Sequence, residues 1–139
     1  MTETELVDLF SAPRTIAVVG LSVDPGRPSY GVAAVMQRAG FRIVPVNPRY
    51  AGQAILGERC VASLADVDVP IDIVDCFRRS EEMPEVAQAA AGLAPRPRVL
   101  WMQIGVQNAA AAQMAREAGM AVVENKCLKI EYLARAGGR

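Results

Sequence analysis

The sequence predicts a three-layer α/β domain, an open parallel sheet of five main strands with helices on both faces. Three observations predict it. Short apolar runs rich in β-branched residues recur along the chain, as in Thr15-Ile16-Ala17-Val18-Val19, and such runs suit strands buried on both faces. Stretches with helical apolar spacing lie between them. Glycines at positions 40, 92 and 119 close three of those stretches, as glycines do at helix C-termini. Strand alternating with helix implies βαβ units joined by right-handed crossovers.

The elements follow in order. Thr2-x-x-Glu5 has the form of a capping box. Leu6, Leu9 and Phe10 follow at helical spacing, so a short helix runs to about Ser11. Residues 15–20 form the first strand. Residues 21–28, with a serine, an aspartate, two prolines and a glycine, form a loop. A helix covers 29–39, and the second strand 42–46. Residues 47–57 are rich in turn formers, and 60–65 hold a short strand or a helical turn. Residues 71–76 are the third strand. The next helix, 80–91, is capped by Ser80, with Glu81 and Glu82 in its first turn where the macrodipole favours anions. A fourth strand at 99–102, a helix at 108–118, a fifth strand at 120–123 and a helix at 126–136 complete the pattern. Residues 137–139 are a frayed tail.

Five strands of this kind favour the order 3-2-1-4-5, a Rossmann-like open sheet. Its ligands bind beyond the carboxyl ends of the strands, at the switch point between the first and fourth.

Composition narrows the function. The 139 residues suit one domain, 1–139. The net charge is zero, which argues against a dedicated nucleic-acid or membrane binder. No apolar run approaches the ~20 residues of a membrane span. The acidic start, with Glu3, Glu5 and Asp8, is unlike a secretory signal, so the expected location is the cytoplasm. Cys60, Cys76 and Cys127 form no disulfide or metal-binding spacing, and no metal site is expected. There is no histidine, which removes Ser-His and Cys-His nucleophile pairs and the commonest acid–base group. The expectation is a protein without catalytic residues.

Five loops reach the carboxyl edge. In the first, only Gly20 of a dinucleotide glycine fingerprint is present, followed by Leu21-Ser22. Gly20 allows a ligand close to the backbone. Ser29 sits near a helix N-terminus, where free amides accept phosphate, with Arg27 beside it. The second strand ends Val46-Asn47-Pro48-Arg49, with no acidic residue to take a ribose 2′-hydroxyl. Arg49 instead suits a ribose-borne phosphate, and two cofactors carry one, NADP and coenzyme A.

The third loop, Phe77-Arg78-Arg79-Ser80, offers a second phosphate contact. Phe77 reads first as a core aromatic and second as a surface for adenine or a pantetheine arm. The fourth, Gln103-Ile104-Gly105, has an uncharged amide and a glycine that clears space; Trp101 before it belongs to the core. The fifth places Cys127 in a helix first turn beside Lys126, two features that lower a thiol pKa. A small buried hydrophobe is the simpler reading of it.

These loops carry a resemblance. The blocks Ile16-Ala17-Val18-Val19-Gly20-Leu21-Ser22, Arg27-Pro28-Ser29-Tyr30-Gly31-Val32, Val44-Pro45-Val46-Asn47-Pro48-Arg49, Asp72-Ile73-Val74-Asp75-Cys76-Phe77-Arg78, Trp101-Met102-Gln103-Ile104-Gly105 and Cys127-Leu128-Lys129-Ile130-Glu131 stand in order. Together they resemble the small CoA-binding domain proteins, relatives of the nucleotide-binding domain of the succinyl-CoA synthetase α subunit. The resemblance covers about residues 12–133. It implies a Rossmann-type fold with coenzyme A across the strand ends. It further implies that Gly20 and Ser22 lie in the first phosphate loop and that Val46, Asn47 and Pro48 flank the adenosine. Arg49 would lie near the adenosine's phosphate, with Phe77 and Arg78 along the diphosphate and pantetheine path. Arg27, Ser29, Tyr30 and Gln103 complete the expected site.

The expected function is non-catalytic binding of coenzyme A or acyl-CoA, for carriage, sensing or regulation. One alternative is an NADP-dependent reductase component, with Tyr30 as the only obvious proton donor. The other is a nucleotide-binding subunit of a larger acyl-CoA ligase. Besides the small-molecule ligand, a homodimer or another protein partner is left open.

Overall fold

A strand that alternates large apolar side chains between its two faces needs a helical layer on each. The computed structural model, which describes residues 1–136, supplies both; the tail expected at 137–139 lies outside the described residues. Ile16 and Val18 of β1 (Thr15–Val19) point into one apolar layer with Ile43, Ile73, Trp101 and Val123. That layer is closed by α1 (Glu3–Phe10), α2 (Pro28–Arg38) and α5 (Leu128–Ala136). Ala17 and Val19 point the other way and join Val74, Cys76, Leu100 and Met102. α3 (Met83–Ala91) and α4 (Ala109–Glu117) cover that side through Ala87, Ala90, Ala111, Ala112 and Ala115, small side chains that let helices lie close to the sheet. The expected Rossmann-like α/β fold with helices on both faces is therefore present.

The capping box at Thr2 is formed in both directions, with the Glu5 N–H donating to Thr2 Oγ1 and the Thr2 N–H to Glu5 Oε1. Trp101 is fully buried and its indole N–H donates to the Lys126 carbonyl at 2.8 Å.

The expected strand order needs correction. The remaining strands are β2 (Arg42–Val46), β5 (Ile73–Cys76), β6 (Val99–Met102) and β7 (Ala121–Val123), and a two-stranded ribbon of β3 (Ala54–Ile55) and β4 (Glu58–Arg59). The parallel sheet runs β2-β1-β5-β6-β7. The third main strand, β5, pairs with the inner edge of β1, Ile16 facing Ile73 and Val19 facing Cys76, and does not lie outside β2. The outer edge of β2 is already taken. A single parallel bridge joins Val46 to Val61, with the Asn47 N–H donating to the Val61 carbonyl and the Val61 N–H to Pro45. One bridging residue thus holds the outer place of a third strand, and the switch point falls between β1 and β5.

The helix expected at 80–91 also differs. It opens as a 3-10 turn, Ser80–Glu82, before α3 begins. Ser80 does not cap it. Its hydroxyl donates to the Gly105 carbonyl at 3.3 Å and accepts from the Gln107 N–H at 3.0 Å, tying the loops after β5 and β6 together.

Candidate functional site

The ends of β1, β2, β5 and β6 and the loops that follow them, together with the first turn of α2, carry the residues expected in the site. Gly20 turns the chain out of β1 with φ +90°, and its N–H donates to the Val46 carbonyl at 2.8 Å. A Cβ at this position would clash with the Phe77 carbonyl oxygen. The approach that demands glycine here is therefore the protein's own loop after β5, with no ligand required to explain it.

The first loop is self-satisfied. Ser22 Oγ accepts from the Asp24 N–H, Asp24 Oδ1 from the Gly26 N–H, and the Ser29 hydroxyl from the Ser22 N–H at 3.1 Å. Ser29 is 5% exposed, so its oxygen braces the loop. Arg27 precedes α2, is exposed and makes no side-chain cap, leaving its guanidinium in solvent beside the helix start. Tyr30 is half-buried against the apolar layer under α2.

The second loop is braced by Asn47. Its side-chain N–H donates to the Leu21 carbonyl at 3.1 Å and its Oδ1 accepts from the Arg49 N–H at 3.0 Å, so it fixes loop one to loop two. Val46 is buried, and Pro48 opens the turn Pro48–Tyr50. Arg49 is exposed, with its guanidinium carbon 5.4 Å from the centre of the Tyr50 ring. Among the described residues it has no carboxylate partner.

The third loop carries charge that is already paired. Arg78 holds Glu82 through two N–H donors, each at 3.2 Å, in a fork-to-carboxylate pair. Arg79 adds a contact to the same carboxylate at 3.6 Å. Partial loss of water pushes the Glu82 pKa up, but the charges and hydrogen bonds of the two arginines outweigh it and hold the group below its ordinary value. Phe77 packs half-buried against the core.

Beneath the fourth loop lies a buried polar pair that sequence reasoning missed in part. Gln103 is 4% exposed and its Nε2 donates to Asp75 Oδ1 at 2.6 Å. Asp75, on β5, is 1% exposed, and its other oxygen has no partner among the described residues. Burial drives the Asp75 pKa up to about 7, with the Gln103 hydrogen bond opposing it. Burial also lifts the Cys76 thiol well above its usual range, with the Asp75 charge adding to the effect. The signal that could have found Asp75 is a carboxylate inside the expected strand 71–76, flanked by Val74 and Cys76.

Two clefts open at this edge. One, about 290 Å³, is lined by Val46, Pro48, Leu64, Arg78, Glu82 and Val86 among others. The second, about 570 Å³, is lined by Pro28, Phe77, Arg78, Gln103, Ile104 and Cys127 among others. Arg78 lines both. Cys127 is buried and immediately precedes α5. Arg49 lines neither; it follows Pro48 in the exposed turn after β2. A larger recess of about 780 Å³ lies at the opposite edge, among Glu5, Asp8, Arg98 and Arg116, away from the switch point where doubly wound sheets bind ligands. Among the described residues no helix is long and apolar enough to cross a membrane, and no cluster of three or more acidic, Cys or His side chains could hold a metal ion.

Fold and site together define an α/β protein of the doubly wound class, with paired clefts at the switch point of its sheet. The particular family follows from comparison. The CoA binding domain family model matches residues 14–133, and the chain belongs to that family. An uncharacterised Bacillus subtilis protein, YneT, is 41% identical over 131 residues, 94% of each chain. An ADP-forming acetate–CoA ligase of Archaeoglobus fulgidus is 32% identical over 92 residues, 65% of this chain but 13% of the ligase. A solved Thermus thermophilus structure superimposes with a TM-score of 0.91 at 36% identity, covering 97% of this chain and 99% of the other.

Proposed function

We propose that the chain is one domain, 1–139, that binds coenzyme A or an acyl-CoA in the cytoplasm and performs no chemistry of its own. It would serve carriage, sensing or regulation of a partner protein. The carrying observation is the pair of clefts that meet at Arg78, in a chain that belongs to the CoA-binding domain family.

In this reading the adenosine lies in the smaller cleft, against Val46, Pro48 and Leu64. Its ribose 3′-phosphate meets Arg49, an exposed cation with no carboxylate partner among the described residues. The diphosphate crosses near Gly20, Ser22 and the start of α2, with Arg27 and Ser29 alongside and Arg78 facing it. The pantetheine arm runs into the larger cleft past Phe77, Tyr30's side of α2 and Gln103. The absence of histidine supports a binding role over acyl transfer by a His-activated nucleophile.

A second reading, a nucleotide-binding piece that works with a larger acyl-CoA ligase, is favoured by the likeness to the acetate–CoA ligase. Both readings require coenzyme A in the same clefts.

Calorimetric titration in reducing buffer with coenzyme A, dephospho-CoA, NADP and NAD tests the proposal. Tightest binding to coenzyme A, weakened when the 3′-phosphate is removed, is expected. Preference for NADP would overturn the reading in favour of a reductase component.

A further inference from the structure

We propose that Asp75 and Gln103 act as a unit that presents the Gln103 amide oxygen to the larger cleft, where it accepts a hydrogen bond from an amide N–H of the ligand's arm. Gln103 is thereby a binding residue with a defined polarity, and Asp75 is its positioning residue. The inference rests on the coenzyme A reading, whose pantetheine arm carries two secondary amides.

Four observations carry it. Gln103 lines the cleft although only 4% of it is exposed. Its Nε2 is engaged on Asp75 Oδ1 at 2.6 Å. No described group donates to its Oε1, and that oxygen is not among the fully buried unpartnered atoms, so it is open at the cleft. An acceptor that is unpaired within the protein and open to a cleft is available to a ligand's donor.

The orientation is fixed from below. When ionised, Asp75 only accepts, so it then holds the amide by its nitrogen and not by its oxygen. A proton resting on the unpartnered Asp75 Oδ2 leaves Oδ1 an acceptor and the arrangement unchanged. Besides Arg78, Arg79 and Cys127, the remaining wall is apolar, with Pro28, Val32, Phe77, Ile104 and Val106. It suits the carbon skeleton of an extended arm, and Gln103 supplies an acceptor for an amide N–H, which an arginine cannot do.

The geometry predicts selectivity between parts of one ligand. Coenzyme A has the arm; adenosine 3′,5′-bisphosphate has the nucleoside, the 3′-phosphate and one of the two 5′-phosphates without it. Both are titrated into the wild-type chain, Gln103→Met, Asp75→Leu and Asp75→Asn. Methionine keeps the length and loses both polar atoms. Gln103→Met is expected to weaken coenzyme A about two- to tenfold, the range of one neutral hydrogen bond, and to leave the bisphosphate unchanged. Asp75→Leu frees the amide to turn and is expected to give a similar loss confined to coenzyme A. Asp75→Asn keeps an oxygen acceptor and should recover affinity to within about twofold of wild type, a difference below one weak hydrogen bond.

Equal loss for both ligands, or no loss in Gln103→Met, would overturn the proposal. Loss in Gln103→Met with none in Asp75→Leu would remove Asp75 from it. If Asp75→Leu does not fold, Gln103→Met and Asp75→Asn still decide. Failure of the wild-type chain to bind coenzyme A would instead sink the underlying reading.

Discussion

The ends of β2 and β5 present arginines to the same edge in opposite electrostatic states. β2 ends on apolar residues, Asn47 satisfies the turn, and Arg49 is exposed with the Tyr50 ring beside it and no carboxylate partner among the described residues. After β5 every charge has an internal commitment. Asp75 is buried against Gln103, Arg78 is forked onto Glu82, and the Phe77 carbonyl fills the space a side chain at position 20 would need. A free exposed cation is available to a ligand phosphate at little cost. A paired one must share its partner, and a solvent-exposed pair is itself worth little. The β2 end is thus suited to add binding energy by charge, and the β5 end to hold geometry.

The largest expected effect tests the β5 end. The Asp75 pKa is raised in the folded chain, from 3.8 to about 7. The folded state therefore binds more protons than the unfolded state between those values, and this group's contribution to stability falls as pH rises through that window. About 3 units correspond to about 4 kcal/mol. Urea unfolding of wild type and Asp75→Asn should show the variant gaining by about that amount between pH 4 and pH 8. A difference independent of pH would mean that Asp75 is not buried as a titrating acid.

Gly20→Ala comes next, because it forces a side chain into a φ of +90° and against the Phe77 carbonyl. Strain of this kind costs about 1–3 kcal/mol, and the contact with rigid backbone adds to it. Thermal unfolding of the variant measures the loss. An unchanged melting temperature would show that the loops after β1 and β5 are not in contact.

Arg49→Ala should weaken coenzyme A about tenfold or more, as expected for a hydrogen bond to a charged group, and leave dephospho-CoA nearly unchanged. Calorimetry with the two ligands reads the difference. Equal losses would remove Arg49 from the ribose phosphate and erase the contrast between the two strand ends.

The smallest effect is expected from Glu82→Gln. It releases Arg78 from a competing charge, so coenzyme A should bind up to about fivefold tighter, while stability falls by at most about 1 kcal/mol. Weaker binding in this variant would mean that Glu82 orients Arg78 for the ligand and does not compete with it.

Local elements were legible because their signals are local. The second and fourth main strands have the bounds expected of them, 42–46 and 99–102, and the capping box at Thr2 forms as its spacing implies. Strand order was not legible, because it turns on one residue. Val61 takes the outer edge of β2 by a single bridge, and no periodicity marks an element that short. Ser80 was misread for a related reason. A serine ahead of a helix resembles a cap, whereas its hydroxyl is used across space by Gly105 and Gln107. The expected site residues do converge on one edge, but several converge as braces. Ser29, Asn47 and Gly20 spend their special chemistry on neighbouring loops. Asp75 stood within a quoted motif, yet its role depends on Gln103, 28 positions away, and pairing at that separation is set by the alignment of β5 with β6.

The most direct test of the account is a nuclear magnetic resonance titration of the uniformly labelled chain with coenzyme A. The account predicts that amide shifts cluster at residues 20–29, 47–50, 77–79 and 103–105, the loops around the two clefts that Arg78 joins. Shifts confined to the opposite edge, around Glu5, Asp8, Arg98 and Arg116 in the larger recess, would contradict it.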